Sequence, residues 1–297
     1  MIPFMKYKWV YFLISSLVLI PGVFSLIMWG LRPSIDFTGG TLIEMSNVKC
    51  QMSNVGSKVR KILEQNGIDI GSIQSSGENN CILRLKTITE AQNTQLQTDL
   101  KKEFTKINET RFETVGPILG QELLQKTFIA AILAILGILS YVAYAFKNIK
   151  FGVSAVLALV HDLLVVVGIF SLLGHFKGVE VDTLFVTAIL TTMSFSVHDT
   201  IVVFDRIRES LKKNPGVNFE MMTDKAVTET IGRSLNNSLT IVFMLLALIL
   251  LGGVTIKWFV LALLIGTISG TYSSPFVATP ILVIWQKIEE KKKTQGR

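Results

Sequence analysis

The sequence predicts an α-helical polytopic membrane protein. It has six transmembrane helices, with one α+β domain of ferredoxin-like (βαββαβ) order between the first and second. Three observations predict this. The 297 residues are 49% hydrophobic and only 17% charged, with a mean hydropathy of +0.50. Apolar runs of roughly 20 residues recur, the length at which a helix crosses the hydrocarbon layer. The basic residues cluster beside those runs and accompany no recognition motif. The net charge of +7 therefore reads as a positive-inside pattern, and nucleic-acid binding is excluded.

Residues 1–8 carry Lys6 and Lys8 and are expected on the cytoplasmic side. The first span, 9–29, runs from Trp9 to Trp29. It is long for a signal-peptide core and no A-x-A site precedes the polar segment, so it reads as a retained anchor. Pro21-Gly22 inside it predicts a kink.

Residues 30–125 form a polar segment of domain size with its own periodicities. Thr41–Ser46 alternates like a strand. Ser53–Gln65 places Val55, Val59, Ile62 and Leu63 on one helix face. Ile68–Ser75 and Cys81–Thr87 read as strands, Thr89 opens a second helix, and Glu109–Val115 is the last strand. The order is that of a ferredoxin-like unit. In that order Cys50, past the end of the first strand, and Cys81, at the start of the third, lie at one edge of the sheet. A Cys50–Cys81 disulfide is geometrically allowed in an oxidising compartment; two unpaired thiols are the alternative.

Five further spans are expected at 126–146, 151–173, 183–204, 235–251 and 258–285, with a cytoplasmic loop at 205–234 and a basic tail at 286–297. Lys6/Lys8, Lys147/Lys150, the stretch Arg206 to Arg233 and the tail then share one side, so both termini are expected in the cytoplasm and the 30–125 domain outside it. Within it, Asn214–Glu229 is read as partly helical and interfacial.

The charges inside the apolar runs carry the functional reading. In Thr187–Glu209, TAILTTMSFSVHDTIVVFDRIRE, Asp199 lies among apolar neighbours. Asp205, six residues on and about 9 Å along the axis, marks with Arg206 the exit of the fourth span. A charge at that depth costs roughly 2–3 kcal/mol unless paired, protonated or wetted. Asp162, in LALVHDLLVVVGIF, is deeper still. Both carboxylates follow a Val-His pair, which leaves open an internal duplication. His161 and His198 are candidate proton partners or structural histidines. Arg233, at the mouth of the fifth span, is within reach of Asp199 if the fourth and fifth spans are antiparallel neighbours; the bland alternative is a snorkelling side chain. Asp162 has its own bland reading, bonding to hydroxyls of a neighbouring helix to fix packing. Thr191, Thr192 and Ser194 could line a wet path or serve packing. Gly137, Gly168, Ser194, Ser196, Gly266 and Gly270 are small residues that let helices approach. Three histidines and two cysteines in no ligand spacing argue against a metal site. No P-loop, G-x-S-x-G or H-E-x-x-H occurs, so an ATPase or hydrolase reading has little support and the protein is not expected to be an enzyme.

IDFTGGTLIEM (Ile35–Met45), VGPILGQEL (Val115–Leu123), ALVHDLLVVVGIFSLLG (Ala158–Gly174), VHDTIVVFDRIRE (Val197–Glu209) and GRSLNNSLT (Gly232–Thr240) together resemble the SecF family, the accessory subunits of the bacterial Sec translocase, related to resistance-nodulation-division transporters. The match runs from the first span to the sixth; Phe195 and Ser196 depart from the family pattern. The resemblance implies an inner-membrane protein that works with SecD and uses the proton-motive force in late preprotein export. It implies protons as the coupling ion and no cofactor. The implied partners are SecD, the SecYEG channel, SecA and YajC through the holo-translocon, and the unfolded preprotein. By motif, Asp199, Arg233 and Asp162 match the family's membrane aspartates and arginine. Asp36, Gly39, Gly40, Gly116, Pro117 and Gly120 match its glycine motifs, expected to act as a domain hinge. The expected mechanism is an ionised Asp199 attracting Arg233 and releasing it on protonation. A scaffold role and a small-molecule or lipid exporter are the competing classes.

Overall fold

The computed structural model describes residues 2–48, 53–76, 79–104, 107–146, 148–253 and 256–295. The chain divides into two compact units, Pro33–Ile129 and a helical unit made of Met1–Arg32 with Ala130–Arg297.

The Pro33–Ile129 unit opens with the single helical turn that we number α2 (Ile35–Thr38) and continues β1 (Gly40–Ser46), α3 (Ser53–Gln65), β2 (Ile70–Ser76), β3 (Asn80–Leu85), α4 (Glu90–Glu103) and β4 (Asn108–Val115). The strands form one antiparallel sheet in the order β2-β3-β1-β4, which is the ferredoxin-like arrangement the periodicity predicts. Alternation explains it: Ile43, Met45, Cys81 and Leu83 turn one face inward, where Val59, Leu63, Leu96 and Leu100 from the two helices bury against them. Thr89 and Gln92 form a capping box that starts α4. The expected disulfide involves Cys50, which lies outside the described residues; Cys81 is fully buried, opposite Met45.

The two glycine motifs pack backbone against backbone. Gly39 and Gly40 have φ of 72° and 125°, a region open to glycine at no steric cost. A Cβ built on Gly39 would stand 2.7 Å from Pro117 Cα, and one on Gly120 would stand 2.8 Å from Gly39 N. Nothing lies within 4 Å of a Cβ on Gly116.

The membrane candidates are α1 (Lys8–Trp29), α5 (Pro117–Phe146), α6 (Ile149–Lys177), α7 (Thr183–Lys213), α8 (Phe219–Leu251), and α9 (Lys257–Ser273) continued by a π-helical turn, Ser274–Ala278, into α10 (Thr279–Gln295). Among the described residues, six such runs are long and apolar enough to cross a membrane. Pro275 opens the π turn, as expected where a proline removes a helix hydrogen bond. Within the most apolar stretch of each run, 61% of the α9–α10 residues and 50% of the α6 residues are buried, against 17% for α1 and α8 and 0% for α5. Helices α6 and α9–α10 are thus central.

The helices outrun the apolar stretches. The 205–234 segment, expected as a loop, is helical except at 214–218. Ion pairs extend the helices past the lipid-like part: Arg206 with Glu209 and Lys213 with Glu209 along α7, and Arg206 with Glu229 between α7 and α8. Asp182 caps α7 by accepting from Phe185 N at 2.7 Å, and Gly178 in the left-handed conformation ends α6.

Candidate intramembrane polar site

Asp162 sits in the middle of α6 and is 4% exposed. Three hydroxyls from two other helices donate to its carboxylate. Ser196 on α7 reaches Oδ2 at 2.5 Å. Ser269 on α9 reaches Oδ1 at 2.6 Å, and Ser273, one turn further, reaches Oδ2 at 2.6 Å. His161 Nδ1 stands 3.0 Å from Oδ1, and its Nε2 stands 3.1 Å from Ser15 Oγ on α1. Ser15 in turn lies 3.5 Å from the Tyr272 hydroxyl, which donates to the Tyr11 carbonyl at 2.7 Å. A hydrogen bond to a charged group is worth about 1.5–3 kcal/mol, so this set offsets much of the penalty of burying the carboxylate.

Small residues make the convergence sterically allowed. A Cβ on Gly266 would stand 2.4 Å from Thr192 Cγ2, and one on Gly270 would stand 3.0 Å from Ser196 Cβ. These glycines let α9 approach α7 closely enough for both to reach one carboxylate.

Asp199 is half-buried on α7. Its partner is the hydroxyl of Ser234 on α8. The expected Asp199–Arg233 pair is not formed: among the described residues no ion pair joins them, and Arg233 is exposed. The reason is helical phase. Adjacent residues point about 100° apart around a helix, so placing Ser234 against Asp199 turns Arg233 away. A cavity of about 20 Å³, room for one water, is lined by Asp199, His198, Ser196, Asn237, Ser238 and Thr271 among others. Ser196 thus lines the space beside Asp199 while its hydroxyl serves Asp162. His198 is exposed.

The remaining expected residues fall apart from this set. Asp205 pairs with Arg208 at 3.1 Å, and Arg206 with Glu229 at 2.5 Å, so both belong to surface ion pairs. Thr191 and Thr192 turn their hydroxyls to their own helix carbonyls, Thr187 O and Ile189 O. Residues that sequence reasoning missed are Ser15, Ser234, Ser269, Ser273 and Tyr272. Ser269 and Ser273 carried a signal, since hydroxyls four apart in an apolar helix share a face. Among the described residues no group of three or more His, Cys, Asp or Glu could hold a metal ion.

The chain matches two family models, "Protein export membrane protein SecD/SecF, C-terminal" over residues 95–288 and "SecD/SecF GG Motif" over residues 24–46. It is 43% identical to the protein translocase subunit SecF of Thermobaculum terrenum, covering 96% of this chain and 94% of that one. It is 35% identical to SecF of Anaerolinea thermophila, over 95% and 93%. Among solved structures it is similar to SecDF of Thermus thermophilus, described as a translocon-associated membrane protein, with a TM-score of 0.83 and 30% identity, covering 96% of this chain. The chain spans 38% of that longer SecDF chain.

Proposed function

We propose that this chain, which belongs to the SecF branch of the SecD/SecF protein-export family, acts as an export subunit that couples proton movement to late steps of preprotein transport. The relatives are named protein translocase subunits, and the solved homologue is a SecDF chain, which supports a SecD-like partner. SecYEG, SecA and YajC are the further partners of this reading, with an inner-membrane location, cytoplasmic termini and the 33–129 unit on the far side.

One observation carries the proton-coupling part. A buried carboxylate on α6 accepts from α7 and α9 at once, a serine away from a small polar cavity beside a second carboxylate. An ionised carboxylate only accepts hydrogen bonds, whereas a protonated one also donates. Adding a proton to Asp162 turns one of its oxygens into a donor, so at least one facing serine hydroxyl must swing its own hydrogen elsewhere and accept instead, which rearranges the bonds that join the helices. One charge moved through 100 mV releases about 2.3 kcal/mol, more than a tenfold bias between two arrangements. In this reading Asp199 and the cavity admit the proton, and Asp162 converts it into helix movement.

The test is export of a preprotein by membranes carrying Asp162→Asn or Asp199→Asn, with and without an uncoupler. Loss of the gradient-stimulated fraction, with normal recovery of the complex, is expected. Undiminished stimulation in both variants overturns the reading. Reduced complex recovery with the stimulation intact favours the scaffold role instead.

A further inference from the structure

Helices α1 and α6 are joined at three successive levels. At the first, Ser15 Oγ meets His161 Nε2 at 3.1 Å. At the second, a Cβ built on Gly168 would stand 2.7 Å from Gly22 Cα. At the third, Ser25 and Ser171 share a hydrogen bond of 2.8 Å, and Ser171 donates to the Gly30 carbonyl at 2.7 Å. Backbone packed on backbone leaves no side chain to re-pack if the helices slide, and close-packed contacts of this kind are rigid.

The hydroxyls that hold Asp162 stand elsewhere, on α7 and α9. Those two helices are locked to each other by Gly266 against Thr192 and Gly270 against Ser196. The carboxylate therefore rides on one close-packed pair of helices and its hydroxyl donors on another. By chain connection, α1 leads directly into the unit that begins at Pro33.

We propose that α1 and α6 move as one body, that the Asp162 bonds to Ser196, Ser269 and Ser273, together with the Tyr272 bond to the Tyr11 carbonyl, are the seam along which this body parts from α7 and α9, and that Ser15 and His161 are positioning residues passing the state of the carboxylate to α1. The proposal rests on the reading that Asp162 gains and loses a proton during export. The proton comes from the aqueous side and forms an O–H bond on one carboxylate oxygen; that oxygen then donates, and a facing hydroxyl must reverse its hydrogen bond or leave. Among the described residues, the titratable groups facing this carboxylate are His161 on its own helix and, through Ser15, Tyr272 on α9. α7 presents Ser196 and α1 presents Ser15.

Two measurements test it, both on the full complex in membranes. The first cross-links Ser25→Cys to Ser171→Cys, a pair whose hydroxyls already touch. Oxidised membranes are expected to keep gradient-stimulated export. Arrest on oxidation, reversed by reductant, overturns the one-body claim. The second is Ser15→Ala, with Ser15→Thr beside it. Ser15→Ala is expected to lower the gradient-stimulated export rate by roughly three- to tenfold, what one lost hydrogen bond is worth. It is also expected to move the rate's dependence on external pH, with Ser15→Thr restoring both. An unchanged pH profile in Ser15→Ala overturns the positioning role. If wild-type export ignores the uncoupler, the proton reading fails and the proposal with it. If wild type responds and the oxidised pair stalls, only the one-body proposal fails.

Discussion

Ser196 donates to Asp162 at 2.5 Å and at the same time lines the cavity beside Asp199. One side chain on α7 thus stands between the two intramembrane carboxylates. Ser196→Ala removes a donor from Asp162 without enlarging any side chain. Gradient-stimulated export is expected to fall several-fold while complex recovery stays normal, as read by export with and without uncoupler.

Asp162→Ala leaves the Ser196, Ser269 and Ser273 hydroxyls without their acceptor in a buried site. A loss of about 1–3 kcal/mol of stability is expected, smaller if the serines turn to their own helix carbonyls. Thermal unfolding of the purified protein in detergent checks it, with Asp162→Asn expected to lose less because it keeps the side chain's shape.

Arg233 is exposed and has no ion pair with Asp199 to lose. Arg233→Gln is expected to change stability by less than about 0.5 kcal/mol, measured by the same unfolding. Any export defect in this variant then reports function and not folding. Ser234→Ala, which removes the bond to Asp199, is expected to be the more destabilising of the two.

The glycine motifs separate by geometry. Gly39→Ala meets a positive φ of 72° and Pro117 Cα at 2.7 Å. Gly120→Ala meets Gly39 N at 2.8 Å. Both are expected to lower resistance of the 33–129 unit to proteolysis. Gly116→Ala, with nothing within 4 Å, is expected to leave it unchanged.

Hydrogen bonds from Lys102, Gln95 and Asn66 hold the Asp99 carboxyl below its ordinary value. Because the folded value is the lower one, the stabilisation is present above the unfolded value and is lost as pH falls through the folded one. Protection of the α4 amides, taken as the exchange rate relative to the intrinsic rate at each pH, is expected to fall on acidification, and Asp99→Asn to remove that part of the pH dependence.

Whatever depends on local pattern and on solvent was legible in the amino-acid order alone. Apolar runs specified helices because a membrane leaves no other backbone partner for N–H and C=O groups. Alternation at Thr41–Ser46 and Cys81–Thr87 specified strands, and with the helices between them it specified the ferredoxin-like order. The amino-acid order also marked Asp162 and Asp199 as anomalies, since a carboxylate in an apolar run is visible without coordinates. Which side chains meet was settled by how the helices pack. Arg233 and Ser234 are neighbours in sequence, and helix rotation chose the serine. Ser15, Ser269 and Ser273 read as ordinary small residues in apolar helices. They became partners of one buried charge network because glycine contacts at Gly22–Gly168, Gly266 and Gly270 brought the helices together. The rotation and approach of packed helices follow from surface complementarity summed over whole elements, and no short stretch of sequence carries that information.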